Sequence, residues 1–275
     1  MVRSNFHTHS IYCDGRDTPA EMAEKAAALG FFALGFSGHR DPDFSDCGMT
    51  PEAETQYRQA VAEQKARYAG RMEIYCGIEQ DILAGPRDPI YDYAIGSVHW
   101  IPWKGTHLSV DWTAEKARYN IETAFHGDAC AYAAAYYGLV AQVRNKTRCD
   151  IIGHFDLLTK FDDAEAVFRS DDPKYRAAVL MALDALCAPG VIFEINTGAM
   201  ARGYRTAPYP ALWILKELKA RKCRVMINSD CHNRNFLDCG FSLARELALA
   251  AGFRDQIVLQ KGMFTEISLC DTNPR

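Results

Sequence analysis

The 275-residue chain is predicted to fold as an α/β barrel of seven parallel strands, and three observations carry that prediction. Short apolar runs alternate with helical stretches from one end to the other. The runs are apolar throughout rather than at every second residue, as in a parallel sheet covered on both faces. Seven such repeats favour a closed barrel over an open sheet. No composition shift marks a linker and no internal repeat or low-complexity tract appears, so residues 1–275 are read as one domain.

The first strand spans residues 2–6 and runs out into His7-Thr8-His9, with Asp14 just behind. Thr18-Pro19-Ala20-Glu21 then starts a helix, with Thr as N-cap, Pro at the first position and Glu closing a capping box. It reaches Leu29, where Gly30 supplies a left-handed stop. Residues 31–36 form the second strand, ending in Ser37-Gly38-His39. Thr50-Pro51 opens a helix that reaches Tyr68 before Gly70. Residues 72–78 are the third strand, ending at Glu79, and 93–98 the fourth, ending at His99.

Residues 100–127 are less regular and carry Trp100, Trp103, Trp112, His107 and His126. A long Ala/Tyr-rich helix follows over 128–145, and 149–153 is the fifth strand, ending at His154. Asp172-Pro173 opens a helix that stops before Gly190. Residues 191–195 are the sixth strand, leading into a loop over 196–208. Residues 210–221 are helical, and 224–228 is the seventh strand, ending in Ser229-Asp230-Cys231-His232. A helix over 243–251 and a short strand over 264–267 close the chain.

Composition narrows the function. Hydrophobic content of 48% and charged content of 24% are those of an ordinary globular protein. A net charge of −4 offers no basic footprint for nucleic acid. No apolar run approaches the roughly 20 residues of a spanning helix, and the N-terminus has no signal-peptide core, so a cytoplasmic protein is expected. The ten cysteines are scattered without a Cys-x-x-Cys pair and read as free thiols. Cys13 and Cys231, beside candidate ligands, are read as packing residues.

The strand ends carry the chemistry. His7, His9, Asp14, His39, Glu79, His99, His154, Asp230 and His232 all stand there, six of the eight histidines among them. In a parallel barrel these ends meet at one face, where active sites gather. Residues i and i+2 of a strand share a face, so His7 and His9 address one object. Six imidazoles and three carboxylates exceed what one ion takes and suit two or three zinc, manganese or iron ions, not magnesium alone. Glu79, alone on its strand end, is the natural bridge. Ions there would polarise a substrate oxygen and supply hydroxide for in-line attack.

As a set, His7-Thr8-His9 with Asp14, Ser37-Gly38-His39, Gly77-Ile78-Glu79, Gly96-Ser97-Val98-His99, Gly153-His154-Phe155-Asp156 and Asn228-Ser229-Asp230-Cys231-His232 resemble the PHP (polymerase and histidinol phosphatase) superfamily nearly end to end. Gly96-Ser97-Val98-His99, Glu194-Ile195-Asn196-Thr197, and Arg202 and Arg205 before Pro208-Tyr209-Pro210 most resemble its histidinol-phosphate phosphatase branch. The resemblance implies a distorted seven-stranded (β/α) barrel with a trinuclear site. One metal would take His7, His9, Glu79 and Asp230; a second Glu79, His99 and His154; a third Asp14, His39 and His232. It also implies hydrolysis of L-histidinol phosphate in histidine biosynthesis. The loop at 197–205 departs from the family's usual Ser-Gly-x-Arg-Lys pattern.

A phosphate monoester needs cations aimed at its free oxygens, and Arg202, Arg205 and Lys160 are the candidates, with Ser97 also placed toward substrate. Asp156 is expected to orient a ligand histidine, with general acid as the alternative role. The three tryptophans after the fourth strand either wall the substrate or plug the long loop. The rival functions are hydrolysis of another small phosphate ester, a nuclease, and a metal-binding barrel without turnover. A basic groove or an attached polymerase would mark the nuclease, and neither is expected of an acidic chain read as one domain.

Overall fold

The computed structural model describes residues 3–164, 166–188 and 190–270. Its strands in chain order are β1 (Ser4–Asn5), β2 (Ala33–Phe36), β3 (His39–Arg40), β4 (Glu73–Asp81), β5 (Tyr93–Ser97), β6 (Trp100–Trp103), β7 (Thr106–Ser109), β8 (Ile151–Ile152), β9 (Ile192–Asn196), β10 (Arg224–Asn228), β11 (Asp255–Gln260) and β12 (Met263–Ser268). Seven of them form a parallel ring in the order β1-β2-β4-β5-β8-β9-β10, and β3 continues the line of β2 along β4. The expected seven-stranded parallel barrel is therefore present. Of the expected first strand, Val2 lies outside the described residues.

The ring closes between β10 and β1, and side chains make much of that seam. Asn228 Oδ1 accepts from Phe6 N at 2.8 Å, and Asn5 Oδ1 accepts from Ser229 N at 3.2 Å. Backbone bonds take over further on, with His9 N donating to Cys231 O at 2.9 Å and Cys231 N to His7 O at 3.2 Å. Two buried asparagines thus stand in for ladder bonds along this seam, pairing backbone groups that burial would otherwise leave unmet.

The helices are α1 (Pro19–Ala28), α2 (Pro51–Arg67), α3 (Ala114–Phe125), α4 (Ala129–Val140), α5 (Val143–Thr147), α6 (Pro173–Leu186), α7 (Gly198–Ala201), α8 (Leu212–Ala220) and α9 (Phe241–Ala250). The capping box at Thr18 and Glu21 is formed, and Met22, Ala23 and Ala26 give α1 its buried face. The single helix expected over 128–145 breaks into α4 and α5, where Gln142 Nε2 turns back onto Gly138 O.

The stretch 100–127 is more ordered than its sequence suggests. It forms the β6–β7 hairpin, turned at Lys104 and Gly105, both with positive φ as a type I′ turn requires. Then comes α3, capped by the Thr113 hydroxyl accepting from Lys116 N. The loop expected over 196–208 contains α7, and the last strand has a partner, β11, that the sequence reading did not place.

The β11–β12 hairpin packs Ile257, Val258 and Leu259 against barrel residues Phe6, Tyr75, Tyr93, Ile95 and Met226. Lys261 N and Gly262 N bond to Glu73 and Tyr75 at the start of β4, so the hairpin stoppers the N-terminal end of the barrel. Tyr93 fills the interior and donates to Phe36 O at 3.1 Å as well as to Phe6 O. Its ring requires glycine opposite: a Cβ on Gly77 would lie 2.3 Å from the ring. Gly77→Ala is expected to destabilise the fold by about 1–3 kcal/mol through overpacking. A urea midpoint lowered at unchanged slope would show it, and an unchanged midpoint would contradict this account of the core.

Candidate metal centre

Every barrel strand delivers a polar side chain to the C-terminal end. His7 and His9 follow β1, His39 lies on β3, Glu79 and Asp81 on β4, and His99 follows β5. His154 follows β8, Glu194 lies on β9, and Asp230 and His232 follow β10. Asp14 comes from the loop behind His9.

Glu79 is the hub. Its Oε2 lies 3.1 Å from His7 Nε2, 3.4 Å from His9 Nε2 and 3.0 Å from His39 Nδ1. Its Oε1 lies 2.9 Å from His154 Nε2 and 3.4 Å from His99 Nε2, and accepts from Ser97 Oγ at 2.6 Å. Asp230 Oδ1 adds to the first side, 3.2 Å from His9 Nε2 and 3.6 Å from His7 Nε2. Asp14 makes a separate outer corner, 3.4 Å from His39 Nε2 and 3.2 Å from His232 Nε2. All nine ligand candidates are thus gathered at one place, in overlapping groups that could hold ions.

Two carboxylates behind this shell were not assigned from sequence. Glu194 Oε1 is 2.7 Å from His7 Nδ1, and its Oε2 accepts from His154 N at 3.0 Å. Asp81 Oδ2 is 3.1 Å from His99 Nδ1. A carboxylate behind an imidazole fixes its tautomer and leaves the other nitrogen as a lone pair aimed inward. A charged residue inside the apolar run 191–195 was the available signal for Glu194, since a buried charge demands a partner.

That arrangement tests whether metal fits. With Nδ1–H committed to Glu194, a neutral His7 would turn its Nε2 lone pair to the Glu79 carboxylate. Two acceptors at 3.1 Å would be reconciled by a cation between them, either a metal ion or a proton that the metal displaces. Accordingly, His7 Nε2, His9 Nε2, His39 Nδ1 and Glu79 Oε2 are buried without a hydrogen-bond partner among the described residues. The donor set, imidazoles with carboxylates, is that of zinc, manganese or iron.

The charges agree. Burial alone would push the Glu79 carboxyl up, but His7 and His39 outweigh it and hold it well below the usual carboxylate range. Burial would likewise depress His7, yet Glu194, Glu79 and Asp230 hold it well above its ordinary value. His9 goes the other way. Burial, then the stacked rings of His39 and His232, push it down to about 3. Asp230 has φ +47°, a left-handed backbone that a non-glycine residue adopts at a cost. A Cβ on Gly198 would lie 2.7 Å from Asp230 Oδ2, so glycine there makes room for the carboxylate.

A cavity of about 330 Å³ opens over this centre. Arg202 and Lys160 line it; Arg205, Ser97 and Asp156 do not. Arg205 bonds to Thr159 O and Ala207 O and lies over the Tyr209 ring, and Ser97 is turned to Glu79. Asp156 is buried and accepts from Ala211 N at 3.0 Å, while the support of His154 comes from Glu194. Trp100 and Trp112 wall the cavity, whereas Trp103 packs on Phe125, so the tryptophans divide between the two roles envisaged. His107 stacks on Phe44, and His126 ends α3.

A model of the PHP domain family matches residues 5–198. The chain belongs to the PHP domain family. Among curated relatives, the histidinol-phosphatase of Bacillus subtilis (strain 168) is 26% identical over 267 residues, covering 88% of this chain and 97% of that protein. Among solved structures, the histidinol phosphate phosphatase HisK of Lactococcus lactis subsp. lactis Il1403 superposes with a TM-score of 0.72 at 20% identity. The match covers 96% of this chain and 98% of that one. That protein was crystallised with Zn, L-histidinol and phosphate. The shared fold accounts for the barrel order.

Proposed function

We propose that this PHP-family chain is a metal-dependent phosphomonoesterase that hydrolyses L-histidinol phosphate to L-histidinol and phosphate. The observation that carries the phosphatase reading is Glu79, whose two oxygens face five imidazoles at 2.9–3.4 Å beneath a cavity lined by arginine and lysine. The Bacillus relative and the Lactococcus structure, by name and by bound molecules, support the substrate.

His7, His9, Glu79 and Asp230 would hold one ion, Glu79, His99 and His154 a second, and Asp14, His39 and His232 a third. Bound divalent ions supply Lewis-acid polarisation of the phosphoryl group and lower the pKa of attacking water. The chain's own side chains fix this geometry. Glu194 and Asp81 hold His7 and His99 in one tautomer, and the Ser97 hydroxyl orients Glu79. Arg202 and Lys160 line the cavity with positive charge for the ester's phosphate. Asp156 acts as a positioning residue, tying the turn after His154 to Ala211. A cavity of about 330 Å³ suits a small ester rather than a polynucleotide. Residues 1–275 act as one unit in this reading, and the reaction belongs to cytoplasmic histidine biosynthesis. Among the described residues no helix is long and apolar enough to cross a membrane.

The test is release of inorganic phosphate by the zinc- or manganese-loaded protein from L-histidinol phosphate, beside an aryl phosphate. Turnover of about 1–10³ s⁻¹ with strong preference for histidinol phosphate is the expected result. Hydrolysis of the aryl ester alone would keep the phosphatase and discard the substrate.

A further inference from the structure

Three cations line the cavity, Arg16, Lys160 and Arg202, and they are not equivalent. Arg202 Nη2 lies 3.1 Å from Asp230 Oδ2, while its Nη1 bonds to His232 Nδ1 and to Asp230 O. Lys160 Nζ lies 2.9 Å from Asp111 Oδ2 and donates to Asp111 O at 2.7 Å. Both are already matched to a carboxylate. The Arg16 side chain has no hydrogen bond or ion pair with any described residue. Of these three it is the one, among the described residues, whose side chain is in no ion pair.

Its place is fixed by the loop behind the first ligands. Arg16 N donates to His232 O at 2.9 Å, and Gly15 N to Ser10 O at 3.1 Å. A Cβ on Gly15 would lie 2.5 Å from the His9 carbonyl carbon, so the turn requires glycine there. On the other side, Ile11 N donates to Asp17 O at 3.1 Å, and Asp17 Oδ2 accepts from Arg234 N at 2.7 Å. The residue between is held at the rim, beside Asp14 and His232. Both of those keep solvent-exposed surface, unlike the fully buried His7 and His9.

We propose that Arg16 is the principal phosphate-contacting arginine of this cavity, its guanidinium meeting the free oxygens of the ester. The assignment rests on reading the cavity as a phosphate-ester site. An arginine fork binds phosphate through paired charge-assisted hydrogen bonds. Arg16 can do so without breaking an existing contact, whereas Lys160 would give up Asp111 and Arg202 its bonds to Asp230 and His232. Sequence reasoning passed over it because a single arginine in a short polar loop has no periodicity or motif to mark it.

The experiment is calorimetric titration of inorganic phosphate into the zinc-loaded protein, with zinc content measured on each variant. Arg16→Ala is expected to weaken phosphate binding by about tenfold or more at unchanged zinc content. It should raise KM for the ester more than it lowers kcat, and Arg16→Lys should recover part of the loss. Phosphate binding in Arg16→Ala within about twofold of the unaltered protein overturns the proposal, even if histidinol phosphate is hydrolysed. No phosphate binding by the unaltered protein overturns it too. Binding that depends on Arg16 in a protein that spares histidinol phosphate supports it while removing the substrate assignment.

Discussion

Glu79→Ala is expected to reduce phosphate release from the metal-loaded protein by on the order of 10³-fold or more, a loss at or beyond that of removing a single key electrostatic contact. The reason is its position. One carboxylate faces five imidazoles, and neither Asp230 nor Asp14 can replace both oxygens, because Asp230 pairs with His7, His9 and His232 and Asp14 with His9, His39 and His232, and neither pairs with His99 or His154 among the described residues. Glu79→Gln keeps the volume and should retain the far-ultraviolet circular dichroism spectrum while also losing activity, which separates chemistry from folding. An active Glu79→Ala protein would end the mechanism proposed above.

The second large effect is metal removal. A chelator is expected to abolish turnover and lower the melting temperature, because ions bound at 100 times their dissociation constant contribute about 2.7 kcal/mol each through linkage. The affinity should also fall with pH. Ligating imidazoles must be neutral, yet nearby carboxylates hold His7, His39 and His99 protonated well above their usual range, against the effect of burial. Each bound ion therefore displaces protons, and acidification favours release. His9, down at about 3, is already neutral near pH 7 and adds nothing to this dependence there. Zinc competition with a chromogenic chelator should show much weaker binding at pH 6 than at pH 8. Affinity that is flat across this range would mean that the imidazoles are not the ligands.

The sequence made the candidate ligands legible because histidine is uncommon and six of them stand where strands end. Position along the fold, not any single motif, told them apart from core histidines. The carboxylates behind them were harder to see. Asp81 continues β4 past its expected end and Glu194 sits within a strand, so neither stands at a predicted strand end. The β6–β7 hairpin escaped notice because its turn is Lys104-Gly105, not the Asn-Gly or Asp-Gly that marks most two-residue turns. Arg205 looked equal to Arg202 along the chain, yet three residues of separation turn it onto Thr159 and Tyr209. Such choices are made by packing around the loop, which the residue types alone do not express.

The seam between β10 and β1 gives the centre a topological role. Asn5 and Ser229, joined there by side chains, are 224 residues apart, and the ligands on either side of them come from the same two strands. An ion shared by His7, His9 and Asp230 would therefore cross-link the two ends of the barrel's path through space, closing a loop nearly as long as the chain. Closing so long a loop carries a large entropic cost, which a coordinate bond offsets much as a disulfide would. Metal loading would then add to the hydrogen bonds that already close the ring, so the supply of metal would bear on how firmly the barrel stays shut as well as on turnover.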